Sequence, residues 1–251
     1  MSITPLNWTR DAANPVLPPG PPGSVDSHRC MNPCAIILDG ELRLYYSGGD
    51  EKGNQRICLA TAPADRPTEL TRHGVILDLG GSGCFDSKWC VLPLVKQFGD
   101  KWHLYYSGRD DSPTGLQSFW GAGLAISDDG IHFERQSTFP IITGNQTERF
   151  PDNRGIALGG TIIDDVAADG SRSYRLYYTL ATGTPDQDDI RVDQEKHCAV
   201  CHSVDGFRWT DHRVILSPRS DVTSEDAAVA APWVWKKNDR YRMMYCGIGT
   251  R

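Results

Sequence analysis

Four acidic residues stand at one place in a repeated unit. Asp26, Asp86, Asp152 and Glu225 each precede a Pro or Gly by seven positions, at Pro33, Pro93, Gly159 and Pro232. Nineteen residues after three of these acids come Tyr45, Tyr105 and Met244, within Leu-Tyr-Tyr-Ser-Gly or its variant Met-Met-Tyr-Cys-Gly. After Asp152 the gap is 25 residues, because Ala167 to Ser173 lengthens a hairpin ahead of Leu176-Tyr-Tyr178. Carboxyl groups gathered in one cavity raise each other's pKa, so one can hold a proton while another stays ionised. That split is what cleavage of a glycosidic bond requires, a proton donor for the leaving group and a nucleophile or base opposite it. An acid before a strand can also simply cap its loop through hydrogen bonds to the backbone. For any single acid both readings stay open, whereas one acid per unit favours a shared cavity.

The elements that must position these acids are strands. Units recurring every roughly 60 to 70 residues, each with several short strands, predict a β-propeller with one blade per unit. Within each unit an apolar strand follows the acid, then a turn and the tyrosine strand. In that strand Trp102, Leu104 and Tyr106 alternate with His103 and Tyr105, the period of two expected of a sheet. Third strands follow at Ile57–Ala62, Gly123–Ser127 and Cys198–Ser203, and short fourth strands at Val75–Leu77, Ile141–Ile142 and Val214–Leu216. Asp-Gly at Asp129-Gly130 and Asp205-Gly206 marks turns between them. The expected fold is all-β: one domain over residues 1–251, a five-bladed propeller of four-stranded antiparallel blades, with repeats beginning near 26, 86, 152 and 225. Leu6-Asn-Trp8 resembles Phe207-Arg-Trp209 and Pro15-Val-Leu17 resembles Val214-Ile-Leu216, so a strand at 14–18 is expected to belong to the closing blade. On this count three blades are whole and the fourth half built, a propeller shortened at its C-terminus that another chain could complete.

In a propeller the loop leading into the first strand and the loop joining strands two and three lie on one face. The leading loops carry the four acids with His28, Arg29, Asn32, Lys88, Trp89, Arg154 and Asp226; the second set carries Asp50, Arg56, Arg109, Asp110, Asp188, Asp189 and His197. One face thus collects carboxylates, cations and a few rings, the ingredients of a small polar-ligand site.

Composition narrows the partners. A formal net charge of −6 argues against nucleic acid, which calls for a basic stripe. Seven Trp and nine Tyr suit a neutral carbohydrate. No apolar run has the length of a membrane span, and no secretory leader is visible at Met1 to Trp8, so a cytoplasmic location is expected. The eight cysteines then read as reduced thiols. Cys198-Ala-Val-Cys-His202 matches a haem-attachment pattern, but residues three apart on a strand face opposite sides and cannot both reach one porphyrin edge. Neither metal nor cofactor is expected.

The recurrence of acid, Pro and a Tyr-Tyr-Ser-Gly strand, together with Trp8-Thr-Arg-Asp-Ala-Ala-Asn-Pro-Val-Leu-Pro-Pro-Gly20, resembles the five-bladed β-propeller glycosidases of the family 43 and family 32 type. The resemblance runs from about Trp8 to Gly249. It implies a glycoside hydrolase or transglycosidase, with a phosphorylase or a non-catalytic carbohydrate- or protein-binding propeller as alternatives. By blade order it implies a nucleophile or base at Asp26, a transition-state stabiliser at Asp86 and a general acid at Asp152, with Glu225 beside them. In that superfamily the acids of the first two blades stand directly before the Pro. Here those places hold Asn32 and Leu92, with Ala231 in the fourth unit.

Overall fold

The computed structural model describes residues 9–110, 121–143, 155–181, 196–238 and 240–250, all of them in strands, turns and loops without helix. The first unit folds as β1 (Arg29–Leu38), β2 (Glu41–Gly49), β3 (Gln55–Pro63) and β4 (Thr71–Leu77). The second gives β5 (Trp89–Phe98), β6 (Lys101–Arg109), β7 (Gly121–Ser127) and the short β8 (Glu134–Arg135). The third gives β9 (Gly155–Val166), β10 (Arg172–Ala181), β11 (Lys196–Ser203) and β12 (Thr210–Leu216), and the fourth β13 (Ala228–Lys237) and β14 (Arg240–Ile248). Neighbours within each unit pair antiparallel in chain order. The first two units join into one sheet through a single parallel bridge, Gln55 to Trp89. The turns at Asp39-Gly40 and Asn238 take left-handed backbone, as tight hairpins demand.

The core lies between the sheets, face against face. Tyr45, Ile57 and Leu59 of the first unit pack with Cys90, Trp102, Leu104 and Tyr106 of the second. Leu94, Tyr105 and Leu124 of the second pack with Ile156, Leu176 and Tyr178 of the third. Tyr177 and Val200 meet Val234 of the fourth. The paired tyrosines explain this directly, because successive residues of a strand face opposite ways. Tyr45, Tyr105 and Tyr177 look toward the following blade, while Tyr106 and Tyr178 look toward the preceding one. This is the blade stacking of a propeller.

One expectation fails. Residues 14–18 form bends, not a strand of a closing blade. Leu17 instead packs against Tyr46 and Cys58 of the first blade. The Pro18 carbonyl accepts from the Arg72 guanidinium and, at 3.5 Å, from the Cys30 thiol. Those local bonds take up backbone that a strand ladder would need.

Candidate functional site

The three described leading loops are built alike. The backbone N–H six residues ahead of the acid bonds the acid's carbonyl, Gly20 to Asp26 at 3.1 Å, Gly80 to Asp86 at 3.2 Å and Arg219 to Glu225 at 3.1 Å. A Cβ at Gly20 or Gly80 would sit within 2.2 or 2.0 Å of the Oδ1 of Asp26 or Asp86, so the loop closes over the carboxylate only because glycine stands there.

Each acid is turned beneath its loop and tied. Asp26, 2% exposed, accepts from Ser24 Oγ (2.8 Å), Tyr46 Oη (2.9 Å) and Arg72 Nε (2.9 Å). Asp86, fully buried, accepts from Tyr106 Oη (2.8 Å) and Arg135 Nε (2.7 Å). Glu225 accepts from Arg219 (2.9 Å) and Tyr245 Oη (2.9 Å). Burial pushes the Asp26 carboxyl up, but the bonds from Ser24, Arg72 and Tyr46 outweigh it and hold it below the usual carboxylate range. The bonds from Arg219 and Tyr245 likewise hold Glu225 low. A general acid needs a proton at neutral pH, and a nucleophile needs a path to its substrate. Asp26 and Glu225 are held ionised, and all three described acids are covered by their loops. The geometry makes them ties between a leading loop, the tyrosine strand and, in the first two blades, an arginine of the fourth strand. Asp152 and Arg154 lie outside the described residues.

Sequence reasoning missed the arginine partners, which sit 46 and 49 residues beyond their acids, at Arg72 and Arg135. It also missed what Leu-Tyr-Tyr-Ser-Gly does. The first tyrosine reaches into the next blade, Tyr45 donating to Gly130 O at 2.8 Å and Tyr105 to Gly206 O. In three blades the second tyrosine holds its own blade's acid. The Ser or Thr accepts an N–H from the next blade's innermost strand: Leu92 to Ser47 (3.0 Å), Leu158 to Ser107 (2.9 Å) and Ala231 to Thr179 (2.8 Å). The repetition itself was the available signal.

Those last bonds hold β5, β9 and β13 at the place where every innermost strand is bulged. The register shifts between Met31 and Cys34, Val91 and Leu94, and Ala230 and Trp233. Asn32, Leu92 and Ala231 take φ of 55°, 57° and 52°, a left-handed conformation rare for side-chain-bearing residues. The matching residue of the third blade is the buried Leu158; beside it Gly159 faces two of these positions, since a Cβ there would meet Leu92 Cδ2 at 3.0 Å and Ala231 Cβ at 3.8 Å. Positions from three blades therefore converge where the innermost strands β1, β5, β9 and β13 contact in succession. This is the axis, and its described floor is Leu92, Gly159 and Ala231, with Asn32 at the corresponding place of β1. The Asn32 carboxamide has no hydrogen-bond partner among the described residues.

The remaining candidates sit around that floor. His28 and Arg29 are exposed at the start of β1. Lys88 donates to Asn54 Oδ1 (3.0 Å) and to the Lys52 carbonyl (3.3 Å), and Trp89 Nε1 to the Gly53 carbonyl (2.9 Å), which lock the first two blades together at this face. The Arg109 guanidinium lies over the Trp89 ring, 4.6 Å from its centre. Asp226 is occupied by the N–H and hydroxyl of Thr250, at 2.7 and 2.8 Å. Asp50 and Asp78 share Arg56. Among the described residues no group of three His, Cys, Asp or Glu could hold a metal ion. Cys198 and Cys201 are both buried, each facing its own side of β11, as argued against haem attachment.

No protein-family model matches this chain. Uncharacterised proteins from two strains of Mycobacterium tuberculosis are each 28% identical over 248 residues, covering 92% of this chain and 74% of theirs. Among solved structures, a thermostable family-43 glycoside hydrolase superposes with a TM-score of 0.62 at 17% identity, over 87% of this chain and 64% of that one. A β-1,2-mannobiose phosphorylase from Listeria innocua gives 0.65 at 13% identity, over 96% and 75%. A family-32 β-fructofuranosidase from Bombyx mori gives 0.57 at 16%, over 88% and 42%. At these identities the likeness is one of architecture, and the chain carries the β-propeller fold of the family-43 and family-32 glycoside hydrolases.

Proposed function

We propose that this propeller cleaves glycosidic bonds of a carbohydrate seated on the axial floor, with Asp152 as proton donor. The observation that carries the reading is the floor itself. A carboxamide at Asn32, without a hydrogen-bond partner among the described residues, at the strand position that holds the apolar Leu92 and Ala231 in other blades matches a sugar ring, which presents hydroxyls at its edge and C–H groups on its face. Architecture shared with glycoside hydrolases and a phosphorylase supports the substrate class.

Blade three supports the choice of acid. Asp152 holds the same repeat position as Asp26 and Asp86, but the fourth strand of its blade offers no equivalent arginine. The Tyr178 hydroxyl pairs there with His212 Nδ1 at 3.0 Å. Burial pulls the His212 imidazole below its ordinary value, so it supplies a neutral ring rather than a fixed cation. On this reading Asp152 takes its partner from a neutral ring where Asp26 and Asp86 take a guanidinium, and a carboxyl so placed keeps its proton more readily, which suits a general acid. The acceptor of the glycosyl group is then water or phosphate.

Turnover of aryl glycosides, with and without inorganic phosphate, tests this. Asp152→Asn is expected to cost 100-fold or more in kcat, in line with loss of a general acid, about 10² to 10⁴. Asp26→Asn is expected to lower thermal stability while leaving turnover per folded molecule nearly unchanged. Full activity in Asp152→Asn removes the proton-donor assignment. Saturable glycan binding that needs Asn32, with no turnover of any glycoside, favours the non-catalytic alternative, for which the absence of a carboxylate at Asn32, Leu92 and Ala231 already speaks.

A further inference from the structure

Five arginines are part-buried among the described residues: Arg43, Arg56, Arg109, Arg135 and Arg175. Four pair with a carboxylate, Arg43 with Glu41, Arg56 with Asp50 and Asp78, Arg135 with Asp86 and Arg175 with Asp165. Arg109 has no ion pair among the described residues. Burial pulls its guanidinium below the ordinary arginine value, with the neighbouring Asp110 acting weakly the other way. A desolvated cation without a counter-ion is costly to maintain. Its aromatic support offsets part of that cost, since the guanidinium is stacked on Trp89.

Other cations gather at the same rim. The Lys88 N–H bonds the Arg109 carbonyl at 3.0 Å, and among the described residues the Lys88 ammonium has only neutral oxygens as partners. Along the rim the strand register runs Arg29 to Gly49, Gly49 to Gln55, Gln55 to Trp89 and Trp89 to Arg109. The Arg29 side chain lies across Gly49, its Cγ 2.6 Å from where a Cβ would be, and so leans along this row toward β3 and β5. Arg29 likewise has no ion pair among the described residues. A guanidinium stacked by its face keeps its in-plane N–H edges for a planar or trigonal group of oxygens.

We infer that the rim formed by Arg109 on Trp89 with Lys88 and Arg29 binds an oxyanion carried by, or acting with, the sugar ligand. The chemistry is that of a carboxylate or phosphate: an acidic sugar such as a uronate, a sugar phosphate, or inorganic phosphate as glycosyl acceptor. This deepens the proposed function and rests on it for the sugar, but the anion can be measured alone.

The full chain is titrated at low salt with inorganic phosphate and, separately, with free glucuronate, following Trp fluorescence and heat. Saturable binding of at least one is expected, weakening as ionic strength rises. Arg109→Ala should weaken it tenfold or more, and Arg109→Lys by less. Lys237→Ala, an exposed lysine at the far end of β13, should leave it unchanged. The preferred probe decides between the two sources, phosphate for an acceptor and glucuronate for an acidic sugar. Absence of saturable binding by either probe overturns the inference, as does binding that survives Arg109→Ala or that Lys237→Ala weakens equally. Thermal midpoints of each variant separate misfolding from loss of the site, and Arg29→Ala provides a second variant away from the Trp89 stack. Failure here leaves neutral-glycan cleavage dependent on Asp152 standing, whereas an inactive Asp152→Asn with intact anion binding is a separate result.

Discussion

Cys84→Ser is expected to stabilise this protein, and the reason can be followed bond by bond. The leading loops of the first two blades share their hydrogen bonds: Ser24 N–H to Pro21 O and Cys84 N–H to Gly81 O, both 3.0 Å, then Ser27 to Ser24 and Ser87 to Cys84, both 3.2 Å. Residues 24 and 84 are therefore equivalent. Ser24 Oγ donates to Asp26 Oδ1 at 2.8 Å. Its counterpart is a thiol, and Asp86 Oδ1 is buried with no hydrogen-bond partner. An unsatisfied buried acceptor costs roughly 1–3 kcal/mol, and a bond to a charged group contributes about 1.5–3. After the loss of a partly buried sulfur, a net gain of about 1–2 kcal/mol is expected. For a domain of this size each kcal/mol moves the midpoint by roughly 2–4 °C, so scanning calorimetry should show a rise of a few degrees. The mirror change Ser24→Cys should fall by a similar amount. A midpoint for Cys84→Ser that is unchanged or lower, with Ser24→Cys lower, would falsify the equivalence of the two loops.

Four further outcomes follow from the ties. Ser107→Ala strips the acceptor from the buried Leu158 N–H and should cost about 1–3 kcal/mol in denaturant unfolding. Arg135→Met leaves the fully buried Asp86 carboxylate without its cation and should cost about 3–5 kcal/mol, whereas Arg219→Ala, at a solvent-exposed arginine, should cost far less. Asp26 is held below the ordinary aspartate value, so its contribution is complete above an unfolded pKa of about 3.9 and fades as pH falls through the lower folded value. The midpoint should accordingly drop between about pH 4 and 2, and Asp26→Asn should flatten that slope. Burial pushes the Cys58 and Cys198 thiols up to about 12, while Cys246 is exposed. Alkylation of the native protein at pH 8 should therefore mark Cys246 first and reach the other two only on unfolding.

The fold was legible because a blade is a local object. Strand alternation, Asp-Gly turns and the spacing of Tyr45 and Tyr105 are all set within one unit, and the structure places strands where the period of two required. What the sequence hid was contact between residues far apart in the chain, across units and within them. Nothing beside Ser47 says that its hydroxyl waits for the N–H of Leu92, and nothing beside Asp86 points to Arg135. Period-two reading gives the face on which Tyr46 lies but not which atom it meets. The acids illustrate the cost: repetition correctly marked them as special, yet a position repeated in every blade serves what every blade needs, and for the described acids that is fastening the leading loop to its own blade. A site with one occupant is better sought where the repeats differ, as at Asn32, Arg109 and His212. The strand expected at 14–18 failed for a related reason, since its likeness to Val214-Ile-Leu216 described side chains, while the Pro18 backbone was already engaged.

The left-handed residue in three of the innermost strands has a consequence for how new chemistry could arise here. At Leu92 and Ala231 a hydroxyl on the preceding blade fastens the residue's own N–H, so the backbone is held in its unusual shape whatever side chain it bears, and isobutyl and methyl groups already occur in it. Replacing Leu92 or Ala231 by an acid would put a charge at the centre of the ring without asking any strand to move. Such a scaffold lets reactivity be exchanged one substituent at a time while its architecture stays constant.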